Sequence, residues 1–305
     1  MPNAEDRATL RRRAVITAAL AGSVATLSGC GIRLEGDAPH IPGIKKQEPP
    51  VDQKPLERLF FMLRKTATAT TDAPESDPWA AELRAMHLAQ AKRLTEVMST
   101  QGMKVPNYHY SSTGAHGDLV DYRSAERINA RQIGSLAGLT ARNLPMAAAV
   151  AVTQNAAAHV LGGYVEPSGG TTPEAEQVRA ILPSLRSAIY AFEVIIAKTA
   201  MNERKTAEAT LTPLRATRAT WEASLGKDVP PSPDGFTLPV QPTTDARRRA
   251  LAQRVLTDLI SACADQVAAT RGDRGAFIGL TTLWADATAQ SWRWGAKPAP
   301  FPGLK

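Results

Sequence analysis

The chain has 305 residues, of which 43% are hydrophobic, 21% are charged and 5% are aromatic, and its formal net charge is +7. Such a length and composition are ordinary for a soluble globular protein with one large domain or two small ones. Sparse aromatic residues and the lack of a recurring basic stripe in the sequence argue against a nucleic-acid-binding module, whereas the mild positive charge favours anionic surfaces such as lipid headgroups.

The first feature along the chain is an apolar segment over residues 14–29, which follows three consecutive arginines and ends at Cys30. At 16 residues, rich in Ala, Thr, Ser and Gly, it is shorter and less hydrophobic than the roughly 20 apolar residues of a membrane-spanning helix. A basic start, a short apolar stretch and small residues before a cleavage site are typical of an export signal. We therefore predict a signal peptide over residues 1–29, rather than a membrane span or the first helix of the fold.

The end of this segment resembles a bacterial lipobox, formed by Leu27, Ser28, Gly29 and Cys30. In such signals the cysteine sulfur receives a diacylglyceryl group, a peptidase cuts before the cysteine, and the new amino terminus receives a fatty acid such as palmitate. Two or more acyl chains anchor a protein stably, because each buried methylene contributes about 0.8 kcal/mol. The resemblance implies a lipoprotein anchored to the cell membrane through Cys30, on the extracytoplasmic face.

The arginines before the apolar segment leave the export route open. Arg12 and Arg13 resemble a twin-arginine motif, which would imply export of a folded protein. A generic basic start for the general secretory route explains the same residues.

With Cys30 lipidated, Cys263 is the only other cysteine of the sequence, so the chain cannot form an internal disulfide and packing alone must hold the fold. Cys263 lies on an apolar seam, which predicts an inert buried thiol.

Residues 30–54 are rich in Pro and Gly, which predicts an extended tether behind the lipidated cysteine. Apolar residues then recur at helical spacing. This pattern predicts a first group of four helices, at about 56–70, 78–100, 119–140 and 143–162.

A second group of four helices follows. It comprises a seam from Leu182 to Thr199, a helix over 203–225, and two helices around 255–267 and 277–287. The segment 226–244 has no helical character and is long enough for the single crossover of a ferritin-like bundle. The sequence therefore predicts an all-α protein of two tandem four-helix bundles, with a C-terminal tail. The predicted bounds are 55–163 for the first bundle, 175–296 for the second and 297–305 for the tail.

Several segments of the second half resemble the ferritin-like domain of actinobacterial lipoproteins of unknown function. They are SAIYAFEVIIAK, LRATRATWEASLG followed by PPSPDGFTLP, and LWADATAQSWRWG followed by FPGL. The resemblance covers about residues 175–304 and carries no known reaction. That family commonly has an acid–His pair before its first Tyr and a His in its second helix. The matching positions are Leu185, Arg186 and Leu214, so the groups that could have been ligands are missing here.

A ferritin-like bundle suggests a di-iron site, which takes Glu from two helices and Glu-x-x-His from two others. The sequence contains no Glu-x-x-His and no histidine after His159, so we expect no metal or other cofactor in the second bundle. The first half offers Glu57, Glu82, His87, Glu126 and His159. Glu82 and His87 are five residues apart, about 140° around a helix, and should not face one ion together. Metal binding or an oxidoreductase activity of these residues remains an alternative.

A predicted loop over 102–118 carries His109, His116 and Asp118, a set that suits a transition metal, but an ordinary surface loop is the simpler interpretation. The sequence also lacks a Gly-x-Ser-x-Gly elbow, a Walker loop, a Rossmann glycine pattern and Cys-x-x-Cys. It thus favours a membrane-anchored binding or scaffold protein with an unidentified protein or small-molecule partner, without a recognisable catalytic site. A small-ligand carrier of the cell envelope is the third hypothesis.

Overall fold

A computed structural model describes residues 48–107, 121–163, 167–201 and 204–304. These residues form eight α-helices and no β-strand, so the all-α prediction is confirmed. The helices are α1 Gln53–Ala69, α2 Ala80–Thr100, α3 Tyr122–Ala130, α4 Leu144–Val160, α5 Ala175–Ala197, α6 Arg204–Leu225, α7 Asp245–Gln266 and α8 Arg274–Arg293.

Two predicted helices have different bounds in the structure. The helix predicted over 119–140 ends at Ala130, and a short 3-10 helix, Ile133–Leu136, follows it. Gly134 in this short helix lies close to α8, where an added Cβ would lie 2.8 Å from Arg274 Nε. The helix predicted around 255–267 begins at Asp245, ten residues earlier. The apolar spacing misses its first turns because they are exposed and rich in arginine.

Helices α4 and α8 lie at the centre of the body and pack against each other. Thirteen of the 17 residues of α4 and fourteen of the 20 residues of α8 are buried. Neither helix therefore has the single apolar stripe of a surface helix. Many of the buried side chains are alanine, which is small enough for the backbones to approach closely.

The remaining helices surround this pair as in helical bundles. In the first half, α1 packs against α2 and α3, and α3 packs against α4. In the second half, α5 packs against α6 and α7, and α7 packs against α8. A continuous apolar core contains Leu63 and Leu94 from the first half, and Phe192, Leu256 and Phe277 from the second. The two predicted halves thus share one core, and Pro49–Lys305 is one compact unit.

The C-terminal tail belongs to this unit. Phe301 packs against the main core, and the carbonyl oxygen of Pro300 accepts a hydrogen bond of 2.6 Å from Gln90 Nε2 on α2. At the end of α8, Trp292 lies against Trp79, with 6.2 Å between the ring centroids. The last residues therefore connect the end of the second half to the first.

Helix α5 is, within the described part of the chain, the one helix long and apolar enough to cross a membrane, with a mean hydropathy of 1.5 over its most apolar window. Half of that window is buried inside the protein. The predicted seam residues Leu182, Leu185, Ile189 and Phe192 are all buried, so the apolar composition is that of a core helix.

The segment that joins the two halves lies against the start of α8. The backbone N–H of Thr171 donates a 3.0 Å hydrogen bond to the carbonyl oxygen of Gly275. One helical turn later, a Cβ on Gly279 would lie 2.0 Å from the carbonyl oxygen of Thr171. Only glycine at position 279 lets the two backbones approach this closely.

We expect Gly279→Ala to lower the free energy of unfolding by about 2–3 kcal/mol, because the joining segment or α8 must move to admit the methyl group. In an unhindered helix the same change would be stabilising. Urea unfolding of the chain from residue 31, which contains the whole compact unit, measures the difference.

Gly138→Ala is the matched control, since nothing lies within 4 Å of its added Cβ. Its free energy of unfolding should stay within about 1 kcal/mol of the wild type. Equal stability of the two variants would mean that the joining segment does not pack on α8 as described.

Candidate functional site

A buried ion pair joins α2 and α3. His87 Nε2 lies 2.5 Å from Glu126 Oε1, and both side chains are fully buried. On the other side of the ring, His87 Nδ1 lies 3.1 Å from Oε1 of Gln90, three residues further along α2. The structure thus brings together two of the Glu and His residues that the sequence singles out.

The ion pair is part of a polar layer that crosses the first half. Gln90 Nε2 donates to Thr153 Oγ1 on α4 at 2.7 Å as well as to the carbonyl oxygen in the C-terminal tail. Asn129 Nδ2 on α3 donates to Thr66 Oγ1 on α1 at 2.8 Å. Glu126 Oε2 has no hydrogen-bond partner in the described part of the chain. These bonds connect all four helices of the first half through their interior.

Both ring nitrogens of His87 face oxygen atoms, and its environment favours the protonated ring. Burial lowers its pKa, but the charge of Glu126 and the hydrogen bonds to Glu126 and Gln90 outweigh burial, so its pKa lies above the usual 6.5. The hydrogen-bond geometry is consistent with this raised pKa. Gln90 donates to Thr153 through Nε2, so the atom that it turns toward His87 Nδ1 is its acceptor oxygen, Oε1. With acceptors facing both nitrogens, the protonated ring donates twice.

The other acidic and histidine candidates of the first half lie elsewhere. Glu57 accepts a 2.7 Å hydrogen bond from Gln53 on α1, and Glu82 lies in the first turn of α2. His159 Nε2 lies 2.7 Å from Asp286 Oδ1, which joins α4 to α8. Across residues 48–107, 121–163, 167–201 and 204–304, no group of three or more His, Cys, Asp and Glu side chains could hold a metal ion.

Other predicted residues fall outside the described ranges. They are Arg12, Arg13, Leu27, Ser28, Gly29 and Cys30 of the export signal, and His109, His116 and Asp118 of the predicted loop. Cys263 is described and completely buried on α7, and burial raises the pKa of its thiol. The prediction of a buried thiol is confirmed.

The positions that depart from the resembled family pattern are structural in this chain. Leu185 and Leu214 are buried in the core. Arg186 is 8% exposed and donates from Nε to Glu222 Oε1 on α6 at 2.8 Å. Its Nη1 also donates to the carbonyl oxygen of Pro230 at 3.0 Å. Arg186 thereby holds the segment 226–244, which links α6 to α7, against the helices.

A groove of about 110 Å³ opens between α1, the short helix Ile133–Leu136 and α4. Its walls are mainly apolar, its rim carries the exposed cations Lys54 and Arg58, and its floor includes the buried amide of Gln154. Sequence analysis does not single out these residues. The sequence feature that could have pointed to this groove is Gln154, because it is a polar residue at a buried-face position of an alanine-rich helix.

Asp52 fixes this groove at one end. It is 2% exposed and precedes α1. Its carboxylate accepts hydrogen bonds from the backbone N–H of Thr140 at 3.0 Å and from Asn143 Nδ2 at 2.7 Å, next to the start of α4. The start of α1 is therefore tied to the start of α4, and these two helices flank the groove.

The second half of the molecule matches a known family. Residues 179–305 match a domain of unknown function, DUF4439. The chain contains a DUF4439 domain. The match covers 127 of the 305 residues, from 179 to 305 inclusive, which is less than half of the chain. No curated protein and no solved structure is significantly similar to the chain.

The DUF4439 domain spans most of α5 and all of α6 to α8 with the tail, whereas the ion pair and the groove lie in the first half. The domain nevertheless reaches the polar layer, because Pro300 accepts from Gln90. The side chain of Arg274 also lies close to Gly134 at the short helix beside the groove. The candidate site therefore lies on residues outside the DUF4439 match. The domain contacts it through Pro300 and Arg274.

We expect the free energy of unfolding to fall as the pH rises above about 6.5, by up to about 1.4 kcal/mol per pH unit. The folded-state pKa of His87 lies above the ordinary value of 6.5. The stabilisation is therefore complete below the unfolded-state pKa and is lost as the pH passes through the folded-state pKa. Urea unfolding at several pH values measures the slope.

Glu126→Gln should reverse this slope near pH 6.5, because burial then dominates and lowers the pKa of His87. Glu96→Gln is the matched control, since Glu96 is a half-exposed carboxylate on α2 that should leave the slope unchanged. Identical slopes in the wild type and Glu126→Gln would contradict a charged buried pair.

Proposed function

We propose that this chain is a lipid-anchored binding protein on the extracytoplasmic face of the cell membrane. The export signal over residues 1–29 and the lipobox ending at Cys30 support the anchor. The Pro- and Gly-rich composition of residues 30–54 supports a spacer between the anchor and the helical body.

The groove between α1 and α4 is the observation that favours binding over catalysis. It is open to solvent and mainly apolar, with a few polar groups, and its volume of about 110 Å³ is below the roughly 300–1,000 Å³ of sites for drug-sized ligands, which points to a small ligand. A binding role, which includes a small-ligand carrier, therefore accounts for the body better than a scaffold alone.

The alternative of a metal site or an oxidoreductase centre receives no support from the first-half Glu and His residues. Both nitrogens of His87 face acceptors, so neither presents a lone pair to a metal ion. His159 belongs to a different contact, with Asp286. The buried pair is better explained as a structural link between α2 and α3.

The proposal includes a ferritin-like bundle for the DUF4439 domain. The helix order and the 226–244 segment between α6 and α7 support this fold, as does the packing of α5 against both α6 and α7. Leu185 and Leu214 fill core positions with apolar side chains. The domain would thus keep the shape of the bundle as a platform for the first half, without metal chemistry.

Labelling with a fatty-acid probe in a bacterium that processes lipoproteins tests the anchor. The wild type should be labelled and should sediment with membranes, whereas Cys30→Ala should carry no label, because it lacks the sulfur that receives the lipid. Cys263→Ala is the matched control and should be labelled like the wild type, since its thiol is buried. Full labelling of Cys30→Ala, or a mature product that still contains residues 1–29, would contradict the proposal.

A further inference from the structure

The floor of the groove contains a buried amide that needs an acceptor. Gln154 is 1% exposed, and its Nε2 has no hydrogen-bond partner in the part of the chain that the structure describes. In contrast, the adjacent Thr153 Oγ1 accepts from Gln90, and Asn155 Nδ2 donates to the carbonyl oxygen of Ala151. A buried unpaired donor is unfavourable. Gln154 lines the groove while its Nε2 is itself buried, so the amide must turn toward the groove to pair with an acceptor that enters from solvent.

The rim of the groove attracts an anion. Lys54 and Arg58 are four residues apart on α1, which places them on the same face of the helix. Both side chains are exposed, and neither forms an ion pair with any described residue. Glu57, next to Arg58 along the chain, accepts a hydrogen bond from Gln53, and Asp52 is held by hydrogen bonds from Thr140 and Asn143. A carboxylate at the rim would therefore meet two free cations.

The wall between the rim and the floor is short and mainly apolar, with Leu59, Met62, Ile133 and Ala151 among its residues. The polar residues Asn129, Gln132 and Ser135 also line the groove, and Asn129 already donates to Thr66. The volume of about 110 Å³ is somewhat smaller than a cavity of about 150 Å³ that holds benzene. A chain of about three or four carbon atoms fits this space, and a charged group at the floor would be buried away from both cations, which is unfavourable.

We propose that this groove binds a small carboxylic acid whose short apolar chain carries a neutral oxygen acceptor at its far end. The carboxylate pairs with Arg58 and Lys54 at the rim, and the neutral oxygen accepts from Gln154 Nε2 at the floor. This inference rests on the binding role proposed above and names the class of ligand.

The test compares three probes of similar size: 4-oxopentanoate, pentanoate and 2-pentanone. The first has both the carboxylate and the neutral oxygen, the second lacks the neutral oxygen, and the third lacks the charge. Side-chain amide shifts of Gln154 in the chain from residue 31, followed by NMR titration, report binding. We expect 4-oxopentanoate to bind at least about tenfold more tightly than either other probe.

Two variants separate the contributions of the floor and the rim. Gln154→Leu removes the unpaired amide and should remain folded, with equal affinity for 4-oxopentanoate and pentanoate. The double variant Lys54→Gln/Arg58→Gln should lose the preference for 4-oxopentanoate over 2-pentanone. Lys65→Gln, an exposed lysine on the same helix outside the groove, should retain both preferences.

Equal binding of all three probes to the wild type would overturn the ligand class. An unchanged side-chain amide signal of Gln154 at saturating 4-oxopentanoate would overturn it too, because it would mean that water alone occupies the floor of the groove. Fatty-acid labelling at Cys30 is independent of the groove. Labelling without probe binding would therefore contradict this inference alone, whereas probe binding without labelling would contradict the anchor alone.

Discussion

The contact between α4 and α8 is the constraint on which the rest of the body depends. Ala156 and Ala157 of α4 lie in one apolar cluster with Ala289 of α8, and all three are fully buried. The small side chains allow this close approach. Most residues of both helices are buried, so neither helix has a continuous polar face. Neither helix is suited to a surface position, so each needs its neighbours. The two halves are therefore joined through their most buried helices.

The same architecture explains why the groove and the polar layer can be rigid. Helix α4 supplies Thr153 to the polar layer and Gln154 to the groove, on adjacent residues that point in different directions around the helix. Because α8 of the DUF4439 domain packs against α4, these positions are fixed by packing. The DUF4439 domain thus helps to hold the proposed binding groove in shape.

Much of the fold follows from local pattern, because helical spacing of apolar residues records which face is buried. The seam from Leu182 to Phe192 predicts α5 correctly for this reason. The early end of α3 and the close approach of Gly134 to α8 are features that local spacing does not reveal. The pairing of His87 with Glu126 spans 39 residues and depends on the same tertiary packing. The sequence shows that a His and a Glu are available, but it does not show that they pair with each other. Lys54 and Arg58 have no sequence feature that distinguishes them from other exposed cations.

Native-state amide hydrogen exchange tests most directly whether α4 and α8 bind both halves into one cooperative unit. The most protected amides of α4 and α8 should exchange only through global unfolding, with the same free energy and the same dependence on denaturant. If the amides of α1 to α4 exchange together at a much lower free energy than those of α5 to α8, the halves unfold separately and the shared core does not join them.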